Sequence, residues 1–247
     1  MLKQTENQRT KLFKNLIISL LVIGSLALLV CACSSNKNNS ANIAETSSSD
    51  ITNVDYDFQT IMDNAIVDYP TSNEDWEYTI YTDTTGVYDK FVVLTEYIGS
   101  SAELEVPEAI DGYPVISIQD LFHDTTTTEE EQRISITSIS LPSTLLEIGD
   151  EALWSGGFGF GYDKTVYNCD SIEKIVIPDS VQYIEGYAFT GEGWGTLKEI
   201  TIPSSVKEIA ADCGLEYRNE NLIIYGEVGS AAAQFCAEND ITFKVIE

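Results

Sequence analysis

A single histidine, His123, is all the imidazole that this 247-residue chain possesses, so a serine or cysteine triad needing an imidazole base has one possible centre. His123 stands beside a run of threonines and glutamates, and no Ser or Cys lies in a Gly-x-Ser-x-Gly setting. Zinc sites call for Cys and His ligands clustered at short spacings, and the chain offers none. Paired carboxylates are present, but among 40 acidic residues pairs arise by chance and do not assign glycoside hydrolysis. Gly157-Phe158-Gly159-Phe160-Gly161 has the glycine spacing of a phosphate loop; neither Gly-Lys-Ser/Thr nor a helix pattern comes after it. We read the chain as non-catalytic, with no cofactor and no metal site.

Positive charge is scarce as well: 13 Lys and Arg stand against 40 Asp and Glu, a net charge of −27. Such a surface repels nucleic acid and anionic headgroups, which excludes nucleic acid as a partner, and it favours solubility. Glu129, Glu130 and Glu131 follow four threonines but lack the alternating Asp/Asn and turn glycine of a calcium loop, so they read as a solvated insertion.

The few basic residues are unevenly placed. Lys3, Arg9, Lys11 and Lys14 precede an apolar run from Leu16 to Ala32 broken only by Ser19, Gly24 and Ser25, which is a secretory signal layout. An uncut transmembrane anchor is the alternative; the run falls short of the roughly 20 residues of a comfortable span. The run ends Val30-Cys31-Ala32-Cys33-Ser34, which resembles the lipobox of bacterial lipoproteins. That resemblance implies acylation of Cys33, removal of residues 1–32, and a chain held to the membrane by its lipid on the extracellular face. Cleavage would take away four basic residues and one acidic one, moving the net charge from −27 to −30. Residues 33–52 are Ser, Asn, Ala and Thr with little to bury, a flexible tether.

In residues 53–75, Phe58, Ile61, Met62, Ala65, Ile66 and Tyr69 fall on one helical face, with Asp55 or Asp57 to start a helix and Pro70 to stop it. Trp76–Tyr81 and Phe91–Tyr97 read as two strands around a polar turn containing Gly86, a hairpin able to cap the rest of the chain.

Residues 104–213 are repetitive. The stretch Ile172-x-x-Ile-x-Ile-Pro-x-x-Val-x-x-Ile-x-x-x-Ala-Phe189 has a copy at Ile136, Ile139, Leu141, Pro142, Leu145, Ile148, Ala152 and Leu153. Another copy runs Leu197, Ile200, Ile202, Pro203, Val206 and Ile209, with Cys213 in the alanine position, and a looser one spans residues 104–122 around Pro107. Alternation in a strand sends Ile175 and Ile177 one way and Lys174 and Val176 the other. One repeat cannot bury the inner face alone, so the copies near 104–122, 136–153, 172–189 and 197–213 are expected to stack into one dry column. Proline, with no N–H for a ladder, ends each strand. Ser230 can cap a short helix over Ala231 to Glu238, with Asn239 as its stop and a last strand over 241–246.

Ile110-Asp-Gly-Tyr-Pro-Val115, the Ile-x-x-Ile-x-Ile-Pro-x-Ser-Val element, the opening Cys169-x-x-Ile172 and the ending Leu222-Ile-Ile-Tyr-Gly226 together resemble the BspA-type leucine-rich repeat of bacterial surface proteins, over roughly residues 76–247. The resemblance implies a mainly β fold (α/β by the convention for these repeats). It also implies a short right-handed solenoid of parallel strands with a hairpin cap and a helix-strand cap, a monomer that binds an extracellular protein or glycan. A structural spacer in the envelope and an enzyme with its site in residues 53–100 are the other readings. Arg133 and Trp194 stand where the repeat's opening cysteine would be.

Two surfaces are candidates for partner contact. The insertion between Ser155 and Asn168 carries aromatics separated by glycine; it reads either as a loop folded over the core or as a partner-contact loop with Trp154, Phe158, Phe160, Tyr162 and Tyr167 as its contact residues. The outward strand positions Glu103, Glu105, Ser138, Ser140, Lys174, Val176, Glu199 and Thr201 form a polar row without an aromatic anchor. Cys213 and Cys236 could pair outside the cell, or Cys213 could pack as a small apolar group.

Overall fold

The computed structural model describes residues 57–122, 132–155, 165–217 and 221–246. Helix α1 (Phe58–Asp63) leads into strand β1 (Ala65–Ser72), which pairs antiparallel with β2 (Trp76–Asp83), and β2 with β3 (Lys90–Tyr97). Asp57 caps α1 by accepting from the Thr60 N–H at 3.1 Å, and the Asn64 carboxamide donates to the Thr60 carbonyl at 2.8 Å.

The helix expected over residues 58–69 is therefore half as long, and its second half is a strand. Ala65, Ile66 and Tyr69 continue the helical spacing by coincidence. The β-branched pair Ile66-Val67 favours extended backbone, and register with β2 from Ala65↔Asp83 to Ser72↔Glu77 secures it. Pro70 does not stop a helix; it sits in a strand at the end of the sheet order, where a missing N–H is tolerated.

Beyond the antiparallel strands, each repeat contributes two short strands. These are β4 (Glu103–Glu105) and β6 (Tyr113–Ile118), with β5 (Ala109–Ile110) folded back on β6, then β8 (Ser138–Ser140) and β9 (Glu147–Ile148) after β7 (Gln132–Ser135). After β10 (Thr165–Asn168) come β11 (Lys174–Val176) and β12 (Tyr183–Ile184), then β13 (Glu199–Thr201) and β14 (Glu208–Ile209). Strand β15 (Ile223–Gly226), helix α2 (Ala231–Asn239) and β16 (Thr242–Val245) close the order. The fold is mainly β, and successive repeats pair their strands in parallel.

Two parallel ladders result. In the first, β11, β13, β15 and β16 pair in that order, with Ile175, Ile200, Ile224 and Phe243 in register. In the second, β3, β6, β9, β12 and β14 pair in order, with Leu94, Ile118, Ile148, Ile184 and Ile209 in register. The proline turns connecting them are alike: the N–H groups of Leu145, Val181 and Val206 donate to the carbonyls of Pro142, Pro178 and Pro203 at 3.1 to 3.2 Å, the bond of a four-residue turn. Proline ends the first strand of each repeat and closes the corner to the second.

The first ladder is interrupted. β4 and β8 pair with each other but belong to a sheet separate from β11, and β7 pairs with β10, at the end of the insertion, as a further two-stranded sheet. The interior is nonetheless shared. Ile175 and Ile200 lie in one buried cluster with Leu104, Ile118, Ile148, Ile184 and Ile224, and Ile139 packs against it half-buried. Neighbouring copies thus shelter one another, as stacking requires. A second, smaller cluster of Phe58, Ile61, Phe91, Val93 and Ile116 lies on the other face of β3, whose Val92 and Leu94 belong to the main core.

At the carboxyl end α2 runs along the expected lines: the Ser230 hydroxyl accepts from the Ala233 N–H at 3.3 Å, and Phe235 and Cys236 are buried. Cys169, Cys213 and Cys236 are free and buried, so the pairing of Cys213 with Cys236 gives way to packing. Cys213 occupies the place of Ala152 and Ala188, and all three are fully covered.

Candidate functional site

Alternation along three-residue strands sends one side chain of each inward and its two neighbours outward. On the first ladder the outward neighbours form two rows, Lys174, Glu199, Ile223, Thr242 and Val176, Thr201, Tyr225, Lys244, all exposed or half-exposed. Lys174 and Glu199 form an ion pair at 3.5 Å, the Tyr225 hydroxyl lies 3.4 Å from Glu199 Oε1, and the Lys244 ammonium stands 5.7 Å from the centre of the Tyr225 ring. The row read from the sequence stopped at Thr201 and lacked an aromatic. The next rung supplies one, because Ile223 and Tyr225 flank buried Ile224 just as Lys174 and Val176 flank Ile175.

Beside this face, where β11, β13 and β15 begin, a cleft of about 550 Å³ is lined by Glu173, Gly195, Thr196, Lys198, Glu199, Asn221 and Ile223. Lys198 and Glu173 form an ion pair side by side in its lining at 2.6 Å, and the Thr196 hydroxyl donates to the Ile172 carbonyl at 3.1 Å. The volume falls within the range of small-ligand sites.

The outer face of the second ladder is different. Its outward residues are Ser117, Glu147, Tyr183 and Glu208, and α1 is seated there. The Phe58 N–H donates to Gln182 Oε1 at 3.0 Å, the Tyr183 hydroxyl donates to Asp57 Oδ1 at 2.6 Å, and Lys207 reaches Asp57 at 3.4 Å and Gln182 at 3.2 Å. The bond to Asp57 holds the Tyr183 phenol up at about 12 and, in return, lowers the Asp57 carboxyl. Leu146 and Tyr183 pack against the small cluster that contains Phe58 and Ile61.

On the same ladder Glu147 is 5 % exposed. Burial raises its carboxyl to about 7 and the like charges of Glu185 and Asp150 add to the rise, while hydrogen bonds from Ser117 Oγ at 2.6 Å and Gln119 Nε2 at 3.4 Å oppose it. Burial also raises Glu185, helped by Glu208, Asp150 and Asp212. Among the described residues no group of three or more His, Cys, Asp or Glu side chains is arranged to hold a metal ion.

Of the five aromatics expected to contact a partner, Phe158, Phe160 and Tyr162 lie outside the described residues, as do Cys33 and His123. Trp154 is half-buried. Tyr167 is placed in the core, 4 % exposed, where its ring meets Tyr97 at 5.4 Å and Phe122 at 5.2 Å. It cannot offer a contact surface, because residues after the insertion return to strand pairing in β10. Trp194, standing in a repeat's opening position, is also fully buried and donates its indole N–H to the Leu153 carbonyl at 2.8 Å.

The family model described as BspA type leucine rich repeat region (6 copies) matches residues 162–232. This part of the chain matches BspA-type leucine-rich repeats. Residues 162–232 include the full set β11 to β15 and the cleft beside them, so the cleft and all of the candidate face but its last rung, β16, lie in this repeat region. No curated protein matches the chain. Among solved structures the chain is similar to a leucine rich repeat protein of T. pallidum (TpLRR) at 22 % identity and a TM-score of 0.38, over 64 % of this chain and 71 % of that one. It is also similar to a leucine rich cell surface protein of Faecalibacterium prausnitzii A2-165 at 16 % identity and a TM-score of 0.25, over 64 % of this chain and 55 % of that one.

Proposed function

We propose that this BspA-type repeat protein is a lipid-anchored, monomeric protein of the bacterial cell surface that recognises an extracellular protein or glycan without catalysis. In this reading the repeats form a short right-handed solenoid, closed at one end by the antiparallel strands β1 to β3 and at the other by α2 and β16. The observation that carries the assignment is the contrast between the two ladders: α1 sits on the outer face of the second, whereas the outer face of the first exposes Val176 and Lys244, with Tyr225 half-exposed, beside a cleft. Exposed strand faces on stacked repeats are where such proteins bind. The lipobox-like Val30-Cys31-Ala32-Cys33 supports acylation at Cys33, and a Cys33→Ala chain is expected to lose radiolabelled palmitate incorporation and surface retention together.

The test of recognition is binding of the fluorescently labelled chain to host epithelial cells and to bacterial cells, read by flow cytometry. Val176→Arg and Thr201→Arg place bulky charge on the exposed rows and should reduce binding at least tenfold, with thermal unfolding unchanged. Binding that survives both substitutions would overturn the assignment of this face, and a chain that binds neither surface would favour an envelope spacer.

A further inference from the structure

We infer that the cleft beside the first ladder binds an uncharged glycan, an inference that rests on the reading of this face as the recognition surface. Its first support is charge. The protein as a whole carries 40 acidic and 13 basic residues, yet at the cleft Glu173 and Glu199 are met one for one by Lys198 at 2.6 Å and Lys174 at 3.5 Å. A polyanion meets no net positive charge here, and the acidic surface around the cleft repels it; a polycation has more acidic ground elsewhere on the same chain. A neutral ligand is the class for which local balance costs nothing.

The second support is the chemistry of the lining. Side-by-side ammonium and carboxylate groups suit neighbouring hydroxyls on a sugar ring, the ammonium donating to one oxygen and the carboxylate accepting from the next. The two ion pairs are exposed, so their direct contact is worth little in water and a polyhydroxylated ligand can interpose between the partners. The Thr196 hydroxyl, which spends its proton on the Ile172 carbonyl, keeps its lone pairs for a ligand, and Asn221 lines the same rim. Tight protein partners, by contrast, dock on a buried aliphatic or aromatic anchor. On these rows only Val176, at 57 %, is a strongly exposed large apolar residue, which favours a hydrogen-bonded ligand over a protein.

The experiment is affinity electrophoresis of the full chain in mild detergent through gels containing dextran, yeast mannan or galactan, with heparin as the polyanion. The expected result is retardation by at least one neutral polysaccharide and none by heparin. Lys198→Ala combined with Asn221→Ala should weaken the apparent affinity at least tenfold at an unchanged melting temperature, and Lys198→Arg should retain more than half of it. Absence of retardation in all three neutral gels, stronger retardation by heparin, or equal retardation of wild type and double variant would overturn the glycan. If cell binding is nonetheless lost in Val176→Arg, the face stands and only the ligand class falls; if cell binding also survives Val176→Arg and Thr201→Arg, the recognition reading falls with it.

Discussion

The hydroxyl of Tyr167 donates to the main-chain carbonyl of Tyr97 at 2.8 Å and stands 3.2 Å from that of Gly99. The strand after the insertion is thereby fastened to the antiparallel strands seventy residues earlier, at the place where the first ladder is interrupted between β8 and β11. Trp76, Tyr97, Phe122 and Tyr167 form a run of neighbouring rings with centroids 4.9 to 5.4 Å apart. Aromatic packing and one buried hydrogen bond do here what strand pairing does elsewhere.

Tyr167→Phe should therefore destabilise the protein by about 1–3 kcal/mol, since the ring stays while buried carbonyls lose their donor. Thermal unfolding would register this as a fall of roughly 2–10 °C in Tm. Tyr167→Phe with an unchanged Tm would mean that water reaches the Tyr97 carbonyl and that the bond is not structural.

Glu147 gives stability a distinctive dependence on pH. Its carboxyl titrates at about 7 in the folded chain and near 4.5 when free, so the unfolded state loses its proton first. Below 4.5 the group contributes no penalty; as pH rises from 4.5 through 7 the folded state is progressively disfavoured, by about 3 kcal/mol at most once both forms are ionised. Glu147→Gln should abolish this loss while keeping an acceptor for Ser117 Oγ. The variant is expected to melt above wild type at pH 8 and to match it at pH 5; melting curves that keep the same separation at both values would refute a buried, neutral Glu147.

The register of Ile175 with Ile200 was legible because a period-2 pattern, a proline and a repeat spacing agree on the same residues, whereas the break between Ile139 and Ile175 was not. The Ser230-capped helix and the Trp76 hairpin were legible for similar reasons, each having a local signal for both ends. The second ladder was not, because its strands β9, β12 and β14 are two residues long and two residues hold no alternation to read. Tyr225 was missed on the outer face of the first ladder although Ile223 to Tyr225 is placed as Lys174 to Val176 is, since a chain end was read there in place of a further rung. The helix-to-strand change at Asn64 was hidden by a helical spacing that Ile66 and Tyr69 share by accident, and the position of Tyr167 depended on pairing with β7 that no local pattern encodes.

The three buried thiols should be inert. Burial pushes Cys169 and Cys213 up to about 12 and Cys236 up to about 11, which leaves almost no thiolate to react at neutral pH. Site-resolved mass spectrometry after iodoacetamide treatment should find all three unmodified in the folded chain and modified in guanidinium. Cys213→Ala restores the residue found at Ala152 and Ala188 and should cost about 1 kcal/mol or less; a loss of several kcal/mol, or a Tm that falls on adding a reducing agent, would indicate a disulfide with Cys236.

Asp57 links the amino-terminal helix to the second ladder, and its removal should release one from the other. It caps α1 at Thr60 and accepts from Tyr183, with Lys207 3.4 Å away, so Asp57→Ala removes a cap and leaves a half-buried phenol without its acceptor. The expected cost is about 1–2 kcal/mol. Because the carboxyl is held below its ordinary value by the Tyr183 bond, its contribution is present above the ordinary carboxylate range and is lost as pH falls through the lowered value, the opposite sense to Glu147. Amide exchange at Ile61 and Met62 should accelerate in the variant while exchange at Ile175 and Ile200 stays slow. Uniform acceleration would show that α1 belongs to the global cooperative unit, and no acceleration would show that Phe58 and Ile61 hold the helix by packing alone.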